Sequence, residues 1–122
     1  MKPEHNIFTR RILLGGYLLL ITWLSLMPGN QLPALPLLLH ADKLVHAGFY
    51  AILAILIASA QPRGLRQISL PLACLLSAGY GLLLEIAQIF TPTRSFEWTD
   101  VLANAFGAAL ACIGLARWRQ QR

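Results

Sequence analysis

The chain has 122 residues, 57% of them hydrophobic and 12% charged, against roughly 25% charged in ordinary soluble domains. That composition excludes a soluble globular enzyme and predicts a single membrane-embedded domain over residues 1–122. The net charge of +5 does not imply nucleic acid, because the basic residues form no stripe with interleaved aromatics.

Lys2, Arg10 and Arg11 precede the first apolar segment, about residues 12–27, which Pro28 and Gly29 close. Its basic start resembles a secretory leader, but "LSLMPGN" offers no small-x-small cleavage site, so a retained helix is expected. The stretch after it, "PGNQLPALPLLLHADK", is apolar, yet Pro28, Pro33 and Pro36 forbid a regular helix there. A segment lying in the outer interface, or folded back over the helices, fits that mixture.

The second segment, about 44–60, is entered through Asp42, Lys43 and His46 and closed by "QPRG". The third, about 68–91, ends at Pro92; the fourth, about 101–116, is entered through Asp100 and closed by Arg117. A bilayer span needs about 17–25 residues, so all four are candidate transmembrane helices, the shorter ones with help from their flanks. The expected fold is an all-α membrane protein, four transmembrane helices in an antiparallel bundle.

Basic residues set the orientation. Lys2, Arg10, Arg11, Arg63, Arg66, Arg117, Arg119 and Arg122 fall on one side, and only Lys43 and Arg94 on the other. The positive-inside rule then places both termini and the middle loop in the cytoplasm. Trp118 reads as a cytoplasmic interface anchor and Trp98 as its outer counterpart. Cys74 and Cys112 sit in apolar runs and read as packing residues.

In "GLLLEIAQIF", residues 81–90, Glu85 and Gln88 interrupt an apolar helix on one side. Ser77, Gly81, Glu85 and Gln88 form one stripe. A charge near mid-helix costs roughly 2.5–3.5 kcal/mol on insertion scales and each Leu returns about 0.3–0.6, so the leucines of this segment roughly offset one carboxylate. Ionisable groups so placed face a bundle interior or a water cavity and find partners. Ala103, Gly107 and Ala111 give the fourth helix a small-residue face for close packing.

In this topology Asp42, Lys43, His46, Glu85, Gln88, Arg94, Glu97, Asp100 and Asn104 all belong to the outer half of the bundle. Taken singly, Asp42 and Asp100 read as helix N-caps, His46 as an interfacial hydrogen-bonder, and Glu85 as structural glue to Arg94 or His46. Structural glue need not gather on one side, so the collective reading is a site. Glu85, His46 and Asp100 are its candidate catalytic residues, with Glu85 as general acid or base. Lys43, Arg94, Gln88, Asp42 and Asn104 are its candidate ligand-binding residues, Arg94 offering a fork-shaped donor to phosphate or carboxylate. A metal site from His46, Glu85 and Asp100 lacks a local ligand pair such as H-E-x-x-H, so no metal and no other cofactor is expected.

Two openings echo one another, "DKLVHAG" and "DVLANAFG", each with Asp, a polar residue four later and Gly soon after. Two hairpins related by an axis along the membrane normal explain the echo; so does chance.

"DKLVHAGFYAIL", "GLLLEIAQIF", Arg94 and "DVLANAFGAALA" together resemble the VanZ-like family, named after a teicoplanin-resistance protein. Its pattern of D-K-x-x-H, E-x-x-Q, R and D-x-x-x-N-x-x-G falls on Asp42, Lys43, His46, Glu85, Gln88, Arg94, Asp100, Asn104 and Gly107 over residues 20–115. The resemblance implies a small multi-pass protein of the bacterial cytoplasmic (inner) membrane. It implies no reaction, so whether the protein is an enzyme stays open. The leading expectation is that the outer cluster binds, or binds and modifies, an anionic envelope lipid or lipid-linked precursor. A non-catalytic accessory subunit of another membrane protein, and a small proton or solute transporter, are the alternatives.

Overall fold

The computed structural model describes residues 3–27, 41–60, 66–92 and 95–121, with side chains beginning at residues 7, 43 and 70 in the first three stretches. Four α-helices carry the chain: α1 (Pro3–Leu26), α2 (Ala41–Ser59), α3 (Arg66–Ala87) and α4 (Trp98–Gln120). A short 3-10 turn, Gln88–Phe90, extends α3. No strand is present among the described residues. The proline-rich stretch 28–40 lies outside them.

The helices run past the apolar cores because flanking polar residues are also good helix formers. α1 starts nine residues before Ile12, and α4 carries on through Arg117 and Arg119. Those two arginines suit the negative end of the helix dipole. Pro71 sits in the second turn of α3, where its missing N–H leaves the ladder one bond short. Among the described residues, three helical stretches are long and apolar enough to cross a membrane: Ile7–Leu26, Leu70–Phe90 and Trp98–Gln120. The apolar stretch of α2, Lys43–Ser59, is shorter.

Side chains are distributed inside out relative to a soluble protein. Leu19, Phe90, Leu75, Leu102 and Phe106 are exposed, whereas Ser77, Glu85, Gln88, Asp100 and Asn104 are buried. Trp98 and Trp118, the expected interface anchors, are both exposed. The buried apolar core is thin, and half of it is alanine and cysteine. It contains Leu53, Ala54, Ile57 and Ala58 of α2, Ala73 and Leu84 of α3, and Ala108 and Cys112 of α4. Hydrocarbon chains are as apolar as leucine, so burying leucine between helices gains little in a bilayer; close contact gains more.

α2 packs most extensively against α4, and α3 against both. The α2–α4 crossing is tight at Gly107. A Cβ there would stand 2.7 Å from the Ala47 Cα and closer still to the Ala47 carbonyl oxygen. Gly107 is buried and Ala103 and Ala111 are half-buried, so the expected small-residue face does meet a neighbour. α1 is peripheral, with Ile21 its buried residue among those described. The Tyr17 hydroxyl donates to the Phe49 carbonyl at 2.6 Å, and the Thr22 and Tyr80 hydroxyls hydrogen-bond each other. At the other end of α1, Arg10 and Arg11 donate to the Ser59 and Ala60 carbonyls at the end of α2.

The crossing makes a specific demand. Gly107→Ala should force α2 and α4 apart and destabilise the protein by about 1–3 kcal/mol, the usual range for overpacking. Gly114→Ala, with nothing within 4 Å of the added carbon, should leave stability unchanged. Thermal unfolding of both variants in detergent checks the contrast.

Candidate functional site

Four helix ends meet at one place. Gln88, after the end of α3, donates from Nε2 to the Ser25 carbonyl near the end of α1 at 2.8 Å. Lys43, at the start of α2, reaches the start of α4. Its Nζ lies 2.5 Å from Asp100 Oδ1 and 3.0 Å from Glu97 Oε2. The backbone N–H of Glu97 donates to Glu85 Oε1 at 2.9 Å.

His46, Glu85 and Asp100 converge within this frame. Each presents one nitrogen or oxygen, and the three atoms lie within 4.8 Å of one another. His46 Nε2 is 3.6 Å from Asp100 Oδ2. Glu85 is 2% exposed, so its carboxylate leans on protein partners and not on bulk water. α4 helps: its first backbone N–H groups carry partial positive charge, and both carboxylates sit against that end.

One helical turn further in, each position has a counterpart: Tyr50 beyond His46, Gly81 beyond Glu85, and Asn104 beyond Asp100. These also meet. A Cβ on Gly81 would stand 2.8 Å from Asn104 Nδ2 and 3.0 Å from the Tyr50 ring, so a glycine leaves room for the amide. Asn104 is 1% exposed, and its Oδ1 is buried without a hydrogen-bond partner. Beyond that layer the Ser77 hydroxyl donates to the Tyr50 carbonyl at 2.8 Å. The stripe Ser77, Gly81, Glu85, Gln88 expected from the sequence is buried along its length.

The individual roles differ from the simplest sequence readings. Asp100 is not the N-cap of α4; Glu97 holds that position, without a side-chain cap bond, and Asp100 lies inside the first turn facing Lys43. Asp42 is likewise inside α2, as its second residue, and its side chain lies outside the described residues. Arg94 also lies outside them. Gln88 spends its amide N–H on α1 and so ties the site to the peripheral helix. Lys43 is engaged by two carboxylates within the cluster.

Sequence reasoning counted Glu97 in the outer cluster without giving it a role, and passed over Tyr50 and Ser25. Tyr50 was within reach, since it follows His46 by one turn on the same face. Glu97 acts partly through its backbone N–H, which no side-chain pattern reveals. The missing H-E-x-x-H pair also proves uninformative. The potential ligand set His46, Glu85 and Asp100 is drawn from three helices, and no local spacing records such a set.

Residues 9–119 match the VanZ/LLP1 family, as the sequence resemblance led us to expect. No curated protein and no solved structure matches the chain.

The Lys43–Asp100 pair should be energetically coupled, because both side chains are largely withdrawn from water. In a double-mutant cycle, Lys43→Met should destabilise the protein, and adding Asp100→Asn should recover part of the loss. The coupling should fall within the ~0.5–3 kcal/mol typical of contacting residues. Additive effects would show that Asp100 finds its stabilisation elsewhere.

Proposed function

The chain belongs to the VanZ/LLP1 family, and from that premise we propose that it is a multi-pass protein of the bacterial cytoplasmic membrane whose polar cluster binds the anionic head of an envelope lipid or lipid-linked precursor. The observation that carries this reading is the convergence of His46, Glu85 and Asp100 where the ends of four helices meet. Polar residues held in an otherwise apolar helical protein need a reason beyond stability, since close-packed apolar residues would serve a bundle at least as well.

In the proposed topology the four helices cross the membrane as an antiparallel bundle, α2 with its flanking residues completing a short span. Both termini and the 61–65 connection are cytoplasmic. The polar cluster then faces outward, at the depth of outer-leaflet headgroups. Glu85 lies seven residues before Pro92, about 10 Å along a helix axis.

The level of the site also supports a pocket over a conduit. Among the described residues, buried polar side chains extend from Gln88 only to Ser77, and Ala73, Ile57, Ala58 and Cys112 fill the levels beyond. A transporter calls for polar groups on both sides of the bilayer midplane. Lys43 and Arg94 are the proposed anion contacts. Glu85, His46 and Asp100 are the groups available for proton transfer if the bound molecule is also turned over.

Topology is the prior condition. Reporter fusions at the C-terminus and within residues 61–65 should both report cytoplasm, and an external signal at either would take the cluster off the outer face. Ligand binding is tested by native mass spectrometry of the purified protein. An anionic lipid should co-purify with the wild type and be lost from Lys43→Ala and Arg94→Ala. A wild type that carries no lipid but holds a stoichiometric protein partner would favour the accessory-subunit reading instead.

A further inference from the structure

Among the described residues the cluster holds three carboxylates, Glu85, Glu97 and Asp100, against the single ammonium of Lys43. His46 adds at most one positive charge. Those described groups carry more acid than base, with Arg94 and the Asp42 side chain lying outside them. The geometry of the same residues supplies a resolution.

We infer that His46, Glu85 and Asp100 bind a divalent transition-metal cation of the zinc class. Imidazole nitrogen with two carboxylates is a donor set suited to zinc or manganese, whereas magnesium and calcium favour oxygen alone. Three protein ligands leave a further position open, the arrangement of zinc sites that bind a water or an exogenous oxygen. The ligand atoms already lie within 4.8 Å of one another. Around a tetrahedral ion with bonds of about 2.0–2.1 Å they would stand roughly 3.4 Å apart, so side-chain rotation must close about 1.4 Å at most.

The surroundings orient these ligands as metal sites require. Asp100 gives Oδ1 to Lys43 and turns Oδ2 toward His46. Glu85 gives Oε1 to the Glu97 N–H, leaving its other oxygen for an ion. Hydrogen bonds that fix the non-ligating atom are a regular feature of metal-binding carboxylates.

Asn104 supplies the independent observation. It lies one turn inward of Asp100 on the same face of α4, 1% exposed, with an acceptor oxygen that no group among the described residues satisfies. Buried acceptors are almost always satisfied, by protein or by ordered water. Water bound to a cation in the layer above is a strong donor that suits it. A dication would also sit well among the described carboxylates and offer a bound anionic oxygen a partner. For that last role the inference rests on the proposed ligand reading; metal binding itself does not.

The test uses the full chain in detergent, stripped with a chelator and titrated with zinc chloride alone by calorimetry. We expect one zinc per chain and a raised thermal unfolding temperature. Asp100→Asn and Glu85→Gln, which preserve shape, and His46→Ala should each weaken binding at least tenfold. Ser77→Ala, on the same stripe but two turns inward, should bind like the wild type. No saturable zinc uptake overturns the inference, as does unchanged affinity in the three ligand variants that elute as the wild type does. Zinc binding without lipid retention leaves the metal site standing and removes the lipid reading; lipid retention without zinc does the reverse.

Discussion

The bond from the Glu97 N–H to the Glu85 carboxylate fixes where α4 begins relative to α3. Glu97 is the N-cap of α4 and offers no side-chain cap of its own, so the helix start is anchored from the neighbouring helix. In water an exposed backbone N–H finds a solvent partner at no cost. Where water is excluded it does not, and an unsatisfied donor costs several kcal/mol by usual estimates. A carboxylate four residues before Ile89 therefore does two jobs. It satisfies the start of one helix, and it brings Asp100, in the first turn of that helix, to face His46 and Lys43.

Packing enforces what that bond begins. Gly107 lets α4 lie against the Ala47 backbone, one residue after His46, and Gly81 admits the Asn104 amide one turn inward of Glu85. Both glycines act as absences of volume at helix contacts. Dispersion between closely apposed backbones is the main source of helix association where no hydrophobic drive exists. The site and the small-residue crossings are therefore one design. Widening either contact would move His46, Glu85 and Asp100 apart, since each stands on a different helix.

Much of this was legible in the residues alone. The α-helical class followed from the apolar run lengths, and the buried stripe from Ser77 to Gln88 followed from helical periodicity. The family pattern identified the residues that converge. What the sequence could not convey were facts about ends and directions. Asp100 looked like a cap because Asp favours that position; the helix instead starts three residues earlier at Trp98 and turns its aspartate toward Lys43. His46, Glu85 and Asp100 were already grouped from the sequence, but because they stand on three helices no local motif argued for a metal there. Local motifs record ligands only when one element carries two of them. The helices opened by "DKLVHAG" and "DVLANAFG" form the most extensive helix contact among the described residues.

Charge explains why so much polarity is tolerated at one end of the helices. Among the described residues, Lys43 is held by Asp100 and Glu97, Glu85 by the Glu97 N–H, and Asp100 lies beside the His46 imidazole as well as Lys43. Such a network is coupled, so removing one member changes the environment of the rest. Among the described residues it also has an excess of acceptors, most plainly at Asn104, whose buried oxygen has no donor there. A purely structural network has no use for that surplus, because an apolar residue of similar volume would remove the desolvation cost altogether. Surplus acceptors in a buried, cross-linked layer are what a site needs when its missing partner is a cation or a cation-bound water. On that reasoning the polar end of the protein is shaped for something that arrives from outside the chain.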